Sequence, residues 1–154
     1  MSAAISACKK GNQWQQALLL LDKMHTVAVM PDAFVFNSAI SACEKGGQWQ
    51  RALRFLGQMH AAGVAPDLIS FSATVSACEK SGQWQQSVLL FSKMRALSVA
   101  PDVICFSAAI SACAKDGQGH CALSLFNKMR AGSLTPDVIS VSAAVSACET
   151  GGQR

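Results

Sequence analysis

Four aspartates stand at positions 32, 67, 102 and 137, each directly after a proline and each 35 residues from the next. A carboxylate only accepts hydrogen bonds, so carboxylates in register form a row of acceptors for N–H or O–H groups. Lys10, Lys45, Lys80 and Lys115 keep the same interval, and a regularly spaced row of cations suits a regularly spaced row of anions. Small polar residues at Ser2, Asn37, Ser72 and Ser107 and apolar ones at Phe34, Ile69, Ile104 and Ile139 share the period. This is the chemistry of recognition. Catalysis would need a nucleophile beside a base or a metal cluster, and neither stands out. His25 and His60 share a column that continues as Arg95 and Arg130, which marks surface polar positions, and His120 has no phased carboxylate. We expect no enzyme activity, no metal or other cofactor, and no small-molecule substrate.

The remaining composition agrees with an array. The period is also kept by Met24, Met59, Met94 and Met129, and by Trp14, Trp49 and Trp84 until Gly119 breaks that column. Such repetition marks one supersecondary unit copied along the chain, with apolar surface buried between neighbours instead of in a central core. No uncharged run exceeds 12 residues, short of the roughly 18 that a transmembrane helix needs, so no membrane partner is expected. The net charge of +4 is mild, and its arrangement in columns matters more than its size. The repeat phase is already present at Met1–Lys10, so no cleavable leader is visible ahead of the array. Five of the seven cysteines, Cys8, Cys43, Cys78, Cys113 and Cys148, lie in one column, while Cys105 and Cys121 lie off it. Stacked helices sit about 8–10 Å apart, beyond the roughly 7 Å Cα separation that a disulfide tolerates. The column is therefore expected to stay reduced, as small buried hydrophobes at tight helix contacts.

One unit, residues 33–67, shows the elements that position these columns. Phe36, Ile40 and Cys43 follow an i, i+4, i+7 pattern that paints one face of a helix. Gly46 and Gly47 end it, and the second of these places is Gly82, Gly117 and Gly152 further on and Asn12 before, residues that tolerate a left-handed helix end. A second helix carries Trp49, Ala52, Leu53, Leu56 and Met59 on one face and ends near Gly63. Pro66 then forbids further helix and Asp67 can cap the next one. The predicted fold is all-α, a right-handed α-α superhelix, or solenoid, of 35-residue helix-turn-helix repeats. Residues 33–67, 68–102 and 103–137 form complete repeats, with partial ones at 1–32 and 138–154, in a single array over 1–154. Neither end reads as a polar cap, so protein partners or neighbouring repeats are possible there.

The unit length of 35, the terminal Pro-Asp, the segment Phe36-Asn37-Ser38-Ala39-Ile40, the Lys45-Gly46 helix end and the Ala52-Leu53 to Met59 second helix resemble the pentatricopeptide repeat family over nearly the whole chain. That resemblance implies binding of single-stranded RNA at one base per repeat. In the family, base choice depends on the fifth residue beyond the linker aspartate together with the aspartate that closes the same repeat. Carried onto this chain, the pairs are Asn37 with Asp67, Ser72 with Asp102, Ser107 with Asp137, and Ser2 with Asp32. Phe34, Ile69, Ile104 and Ile139 correspond to the family's base-sandwiching positions, and Lys10, Lys45, Lys80 and Lys115 to its phosphate contacts. The resemblance further implies a role in organellar transcript processing, stability, editing or translation, in a mitochondrion or chloroplast.

Base chemistry points the same way, because guanine and uracil offer an imino N–H on the Watson–Crick edge where adenine and cytosine offer a lone pair. Aspartates favour G or U, and the family code assigns Ser-Asp to guanine and Asn-Asp to uracil, giving a core near 5′-(G)UGG-3′. Each column has a plainer reading beside this one. The aspartates could serve only as helix N-caps, the lysines could complement helix dipoles, and the apolar column could be core. The alternative function is a tetratricopeptide-like scaffold that grips a peptide, since fold alone does not fix function.

Overall fold

The computed structural model describes residue 7 and residues 14–151. The helices there are α1 (Trp14–Thr26), α2 (Ala33–Lys45), α3 (Trp49–Ala61), α4 (Leu68–Lys80), α5 (Trp84–Ala96), α6 (Val103–Lys115), α7 (Gly119–Ala131) and α8 (Val138–Gly151). No strand occurs among the described residues. The residues form two compact units, Met1–Ala77 and Cys78–Arg154, so that the division falls within α4.

Each first-type helix begins where the sequence predicts, because the linker aspartate supplies an acceptor for an otherwise orphan amide. Asp32 takes the N–H of Val35 at 2.9 Å and Asp67 that of Ser70 at 2.9 Å. Asp102 takes the N–H of Cys105 at 2.8 Å and Asp137 that of Ser140 at 2.8 Å. These helices end at Gly47, Gly82 and Gly117, with φ of 65°, 67° and 71°. The next residue then turns back, Gln48 N–H to Cys43 C=O at 2.9 Å, with equivalents from Gln83 to Cys78 and from Gln118 to Cys113 at 2.8 Å. The cysteine and its carbonyl thus mark the last full turn in every unit. Gly152 and Asn12 lie outside the described residues.

Second-type helices end in the same way without the same residue. Gly63 has φ of 73°, and its column mates Ala28, Ser98 and Ser133 have φ of 56°, 56° and 59°. The following N–H reaches back to the methionine carbonyl, Val64 to Met59 at 3.0 Å and Val99 to Met94 at 2.9 Å. The sequence signals this turn only at Gly63, since alanine and serine carry no preference for left-handed backbone.

Within the first unit, α2 packs against α1 and α3. Phe36, Ile40 and Cys43 of α2 meet a second-helix face of Ala52, Leu56 and Met59, all of them buried. Trp14 covers the turn after α2 so closely that a Cβ on Gly46 would stand 2.4 Å from its ring. The Arg51 guanidinium lies over the Trp14 ring, 4.9 Å from the centroid. Trp14 is thus a packing device at the hairpin turn after α2. In the second unit α6 packs against α5, α7 and α8. Phe106, Ile110 and Cys113 meet Ala122, Leu125 and Met129, and the Phe106 ring tilts against Phe91 at 4.9 Å. Burying each of these large apolar side chains contributes about 1.5–3 kcal/mol.

Serines 98 and 133 hold a backbone conformation that costs a side-chain-bearing residue about 1–2 kcal/mol. Ser98→Gly and Ser133→Gly are therefore expected to stabilise the protein, each by about 0.5–1 kcal/mol after the entropy that glycine adds to the unfolded chain. Urea unfolding of the two variants and the parent measures this directly. A fall in stability in both would refute the account.

Candidate nucleic-acid interface

The cap aspartates sit at the start of each first helix, and one turn into the preceding first helix stands the small polar residue assigned to the same repeat. In the first unit the Asn37 amide Nδ2 donates to both oxygens of Asp67, at 3.2 Å to Oδ1 and 3.0 Å to Oδ2. The carboxylate fixes the amide's orientation, because the opposite flip would set two acceptors face to face. Asn37 Oδ1 is then left buried and without a hydrogen bond. In the second unit the Ser107 hydroxyl donates to Asp137 Oδ1 at 2.8 Å. Two predicted pairs are thus joined across 30 residues of sequence. Capping and pairing coexist on the same carboxylate.

Ser107 is itself buried and Asn37 is half-buried. What a ligand meets at the Ser107 pair is chiefly the carboxylate edge that the hydroxyl holds in place. Ser72 is half-buried in the first unit, and Asp102 caps α6 in the second. Asp32 caps α2, while Ser2 and Lys10 lie outside the described residues.

The apolar column does not belong to the core. Phe34, Ile69, Ile104 and Ile139 are 54%, 59%, 61% and 61% exposed, each two residues beyond its aspartate. By contrast Phe36, Phe71 and Phe106 are buried, as the sequence predicts. In the second unit a hollow of about 430 Å³ is bounded by Lys115, Ile139 and Ser142 among others, a volume within the roughly 300–1,000 Å³ range of small-ligand sites. A cation and an exposed branched side chain, from the predicted lysine and apolar columns, therefore line one depression.

Lys45 and Lys80 are exposed at the last turns of α2 and α4. Lys115 occupies the same place on α6 and forms an ion pair with Glu79, which also accepts a hydrogen bond from Ser111 Oγ at 3.1 Å. Sequence reasoning missed Glu79. Its signal was present, since Glu44, Glu79 and Glu149 keep the period one place before the lysine column.

Burial pushes the thiols of Cys43 and Cys78 up to about 11 and that of Cys113 up to about 12. They are protonated, apolar packing groups, as expected for the column. Cys148 departs from that expectation and is exposed. Val141 and Val145, one and two turns before it on α8, are exposed as well. Among the described residues no group of three His, Cys, Asp or Glu could hold a metal ion, and no helix is long and apolar enough to cross a membrane.

A family model described as the pentacotripeptide-repeat region of PRORP matches residues 1–154. The chain belongs to the pentatricopeptide repeat family. No curated protein matches it in sequence. Among solved structures, the PPR domain of Arabidopsis thaliana protein-only RNase P 1, in complex with tRNA, is similar with a TM-score of 0.85 at 15% identity, over 98% of this chain and 83% of that one. Nuclear proteinaceous RNase P 2 from A. thaliana gives 0.88 at 14% identity, over 99% of this chain and 35% of that one. The pentatricopeptide repeat protein PPR10, in complex with an 18-nt psaJ RNA element, gives 0.81 at 24% identity, over 99% of this chain and 22% of that one. The chain thus spans about a third or less of the last two. At these identities the likeness establishes the all-α repeat fold alone.

Within the pentatricopeptide repeat array, Asp137 offers a pH test. Burial works to raise its pKa, but hydrogen bonds from Ser140 and Ser107 outweigh it, and the carboxyl ends below its ordinary value of 3.8. A depressed folded pKa means that Asp137 contributes stability above that ordinary value and loses it as pH falls through the lower folded one. The stability difference between the parent and Asp137→Asn is expected to be largest near neutral pH and to shrink below pH 3.8. Urea unfolding of both proteins at a series of pH values reads it, and a difference independent of pH would contradict the assignment.

Proposed function

We propose that this chain binds single-stranded RNA at one base per repeat, without catalysis, through its linker aspartates and the side chains paired with them. The observation that carries this reading is the Asn37–Asp67 and Ser107–Asp137 hydrogen bonding. A helix cap requires only the bond to the amide three residues on. The second bond, to a partner 30 residues away, gives each carboxylate a defined orientation at the start of a first helix. Membership of the family and the RNA named with two of the similar structures support the same ligand class.

A fixed carboxylate is an acceptor, so the favoured bases are those with an imino N–H. With the family code, Asn37–Asp67 takes uracil, and Ser72–Asp102 and Ser107–Asp137 take guanine, for a core of 5′-(G)UGG-3′ in which the first G depends on Ser2 and Asp32. The exposed Phe34, Ile69, Ile104 and Ile139 flank the bases, and the lysine column, Lys10, Lys45, Lys80 and Lys115, follows the phosphates. The biological setting proposed is organellar RNA metabolism, at the level of processing, stability, editing or translation.

Binding to short RNAs carrying GUGG, GCGG and AUAA, and to the DNA version of GUGG, tests the proposal. GUGG should bind best, and Asp67→Asn, whose amide can donate, should shift the preference toward GCGG. Four phosphate contacts give a slope of log K against log salt of roughly −3 for a single strand. Equal affinity for every RNA would leave only charge attraction and reject the base reading.

The Glu79–Lys115 pair generates a separate expectation, because a lysine neutralised in cis attracts phosphate less strongly. Glu79→Gln should tighten RNA binding several-fold at low salt, and the gain should vanish in the Lys115→Ala background. A gain that persists there would show that Glu79 acts on the ligand some other way.

A further inference from the structure

We infer that Ser70 and Ser140 are positioning residues, whose hydroxyls brace the backbone of Asp67 and Asp137 from which the capping carboxylates project, and thereby sharpen base discrimination at those two repeats. The inference rests on the base reading proposed above. The residue three places beyond each linker aspartate must donate its backbone N–H to the cap, and any residue type can do that. Val35 and Cys105 do so for Asp32 and Asp102.

At Asp67 the third residue does more. Ser70 N–H donates to Asp67 Oδ1 at 2.9 Å, Asp67 N–H donates to Ser70 Oγ at 2.9 Å, and Ser70 Oγ–H donates to the Asp67 carbonyl at 2.8 Å. Three bonds therefore tie together the side chain, the amide and the carbonyl of one aspartate. Asp137 is held by two equivalent bonds, from Ser140 N–H to Oδ1 at 2.8 Å and from Ser140 Oγ–H to the carbonyl at 2.9 Å. Valine has no hydroxyl, and a thiol is only a weak donor and acceptor. The described residues thus contain two kinds of cap, and the serine kind falls on Asp67 and Asp137, to which Asn37 and Ser107 are hydrogen-bonded.

Ser70 and Ser140 are 0% exposed, so neither can touch an RNA, and any influence on binding must pass through the aspartate. The influence follows from hydrogen-bond geometry. A carboxylate free to swing can meet the N4–H of cytosine as well as the N3–H of uracil, because both bases present a donor somewhere on that edge. One held at a fixed angle accepts well from a single donor position and poorly from another, since these bonds weaken steeply as the angle closes. The brace turns an acceptor into a discriminator.

The array supplies the controls. Its own Val35 shows that the column accommodates a branched side chain while the cap bond is kept. Ser70→Val and Ser70→Thr are near-isosteres that differ in the hydroxyl. The experiment measures the affinity ratio of GUGG to GCGG RNA for the full chain and both variants, with the guanine-to-adenine ratio at the Ser107–Asp137 position as an internal reference and thermal unfolding recorded for each. Ser70→Val should lower the uracil-to-cytosine ratio roughly fivefold to tenfold, leave the guanine-to-adenine ratio unchanged, and keep the salt slope. Ser70→Thr should restore the ratio. The reciprocal variant Cys105→Ser should sharpen discrimination at the repeat closed by Asp102.

An unchanged ratio in Ser70→Val, or an equal loss at both positions, would overturn the inference, the second outcome meaning that the serine only supports the fold. A parent chain that binds RNA without base preference, or fails to bind it, would instead overturn the reading on which the inference rests.

Discussion

The hydrogen bond from the third amide of each first helix to the linker aspartate sets the phase of everything that follows. It fixes which residue is the first of the helix, and therefore which side chains turn inward. With Asp32 as the cap, Phe36, Ile40 and Cys43 fall on the buried face while Phe34, two residues in, points away. A cap shifted by one residue would rotate the helix by about 100° and exchange those fates. The exposed apolar column and the buried aromatic column are two consequences of one bond, repeated at Asp67, Asp102 and Asp137.

That constraint also leaves room for the same aspartate to serve the proposed recognition. A carboxylate has about four lone-pair sites. At Asp137 the cap and the Ser107 hydroxyl both fall on Oδ1, which leaves Oδ2 able to accept from a ligand. At Asp67 the Asn37 amide spans both oxygens, so the uncommitted capacity there is smaller. The two pairs therefore present different acceptor edges, although their aspartates occupy the same repeat position. A difference of partner, serine against asparagine, is enough to produce it.

The repeat, the helix boundaries and the buried faces were legible in the sequence, because proline, glycine and 3.6-residue periodicity report local backbone constraints. Pro66-Asp67 and Gly47 do what their chemistry predicts. The second-helix turn was legible only at Gly63, since Ala28, Ser98 and Ser133 adopt the same left-handed conformation without a residue that favours it. There, closure of the Met24, Met94 and Met129 carbonyls overrides local preference. The site was legible in its columns but not in its bonds. Nothing in the period alone says that Glu79 pairs with Lys115, or that Ser70 and Ser140 back their aspartates. Cys148 likewise departs from its column, since it is exposed where Cys43, Cys78 and Cys113 are buried.

Charge placement is where repetition stops being uniform, and the departures carry the information. Glu44 and Glu79 precede a lysine in their column, whereas Ala114 stands before Lys115 and Thr150 takes the lysine place after Glu149. Lys115 is thus flanked by alanine in its own helix and is reached by Glu79 from another. An array built by copying would place each acid and base alike. Here the small polar residue varies from unit to unit, Asn37 against Ser72 and Ser107, while the cap aspartate does not. Constant residues secure the spacing of the helices, and the variable ones beside them give each repeat its own electrostatic face. In the proposed reading, a surface that follows a regular anionic backbone and distinguishes successive bases calls for that division of labour.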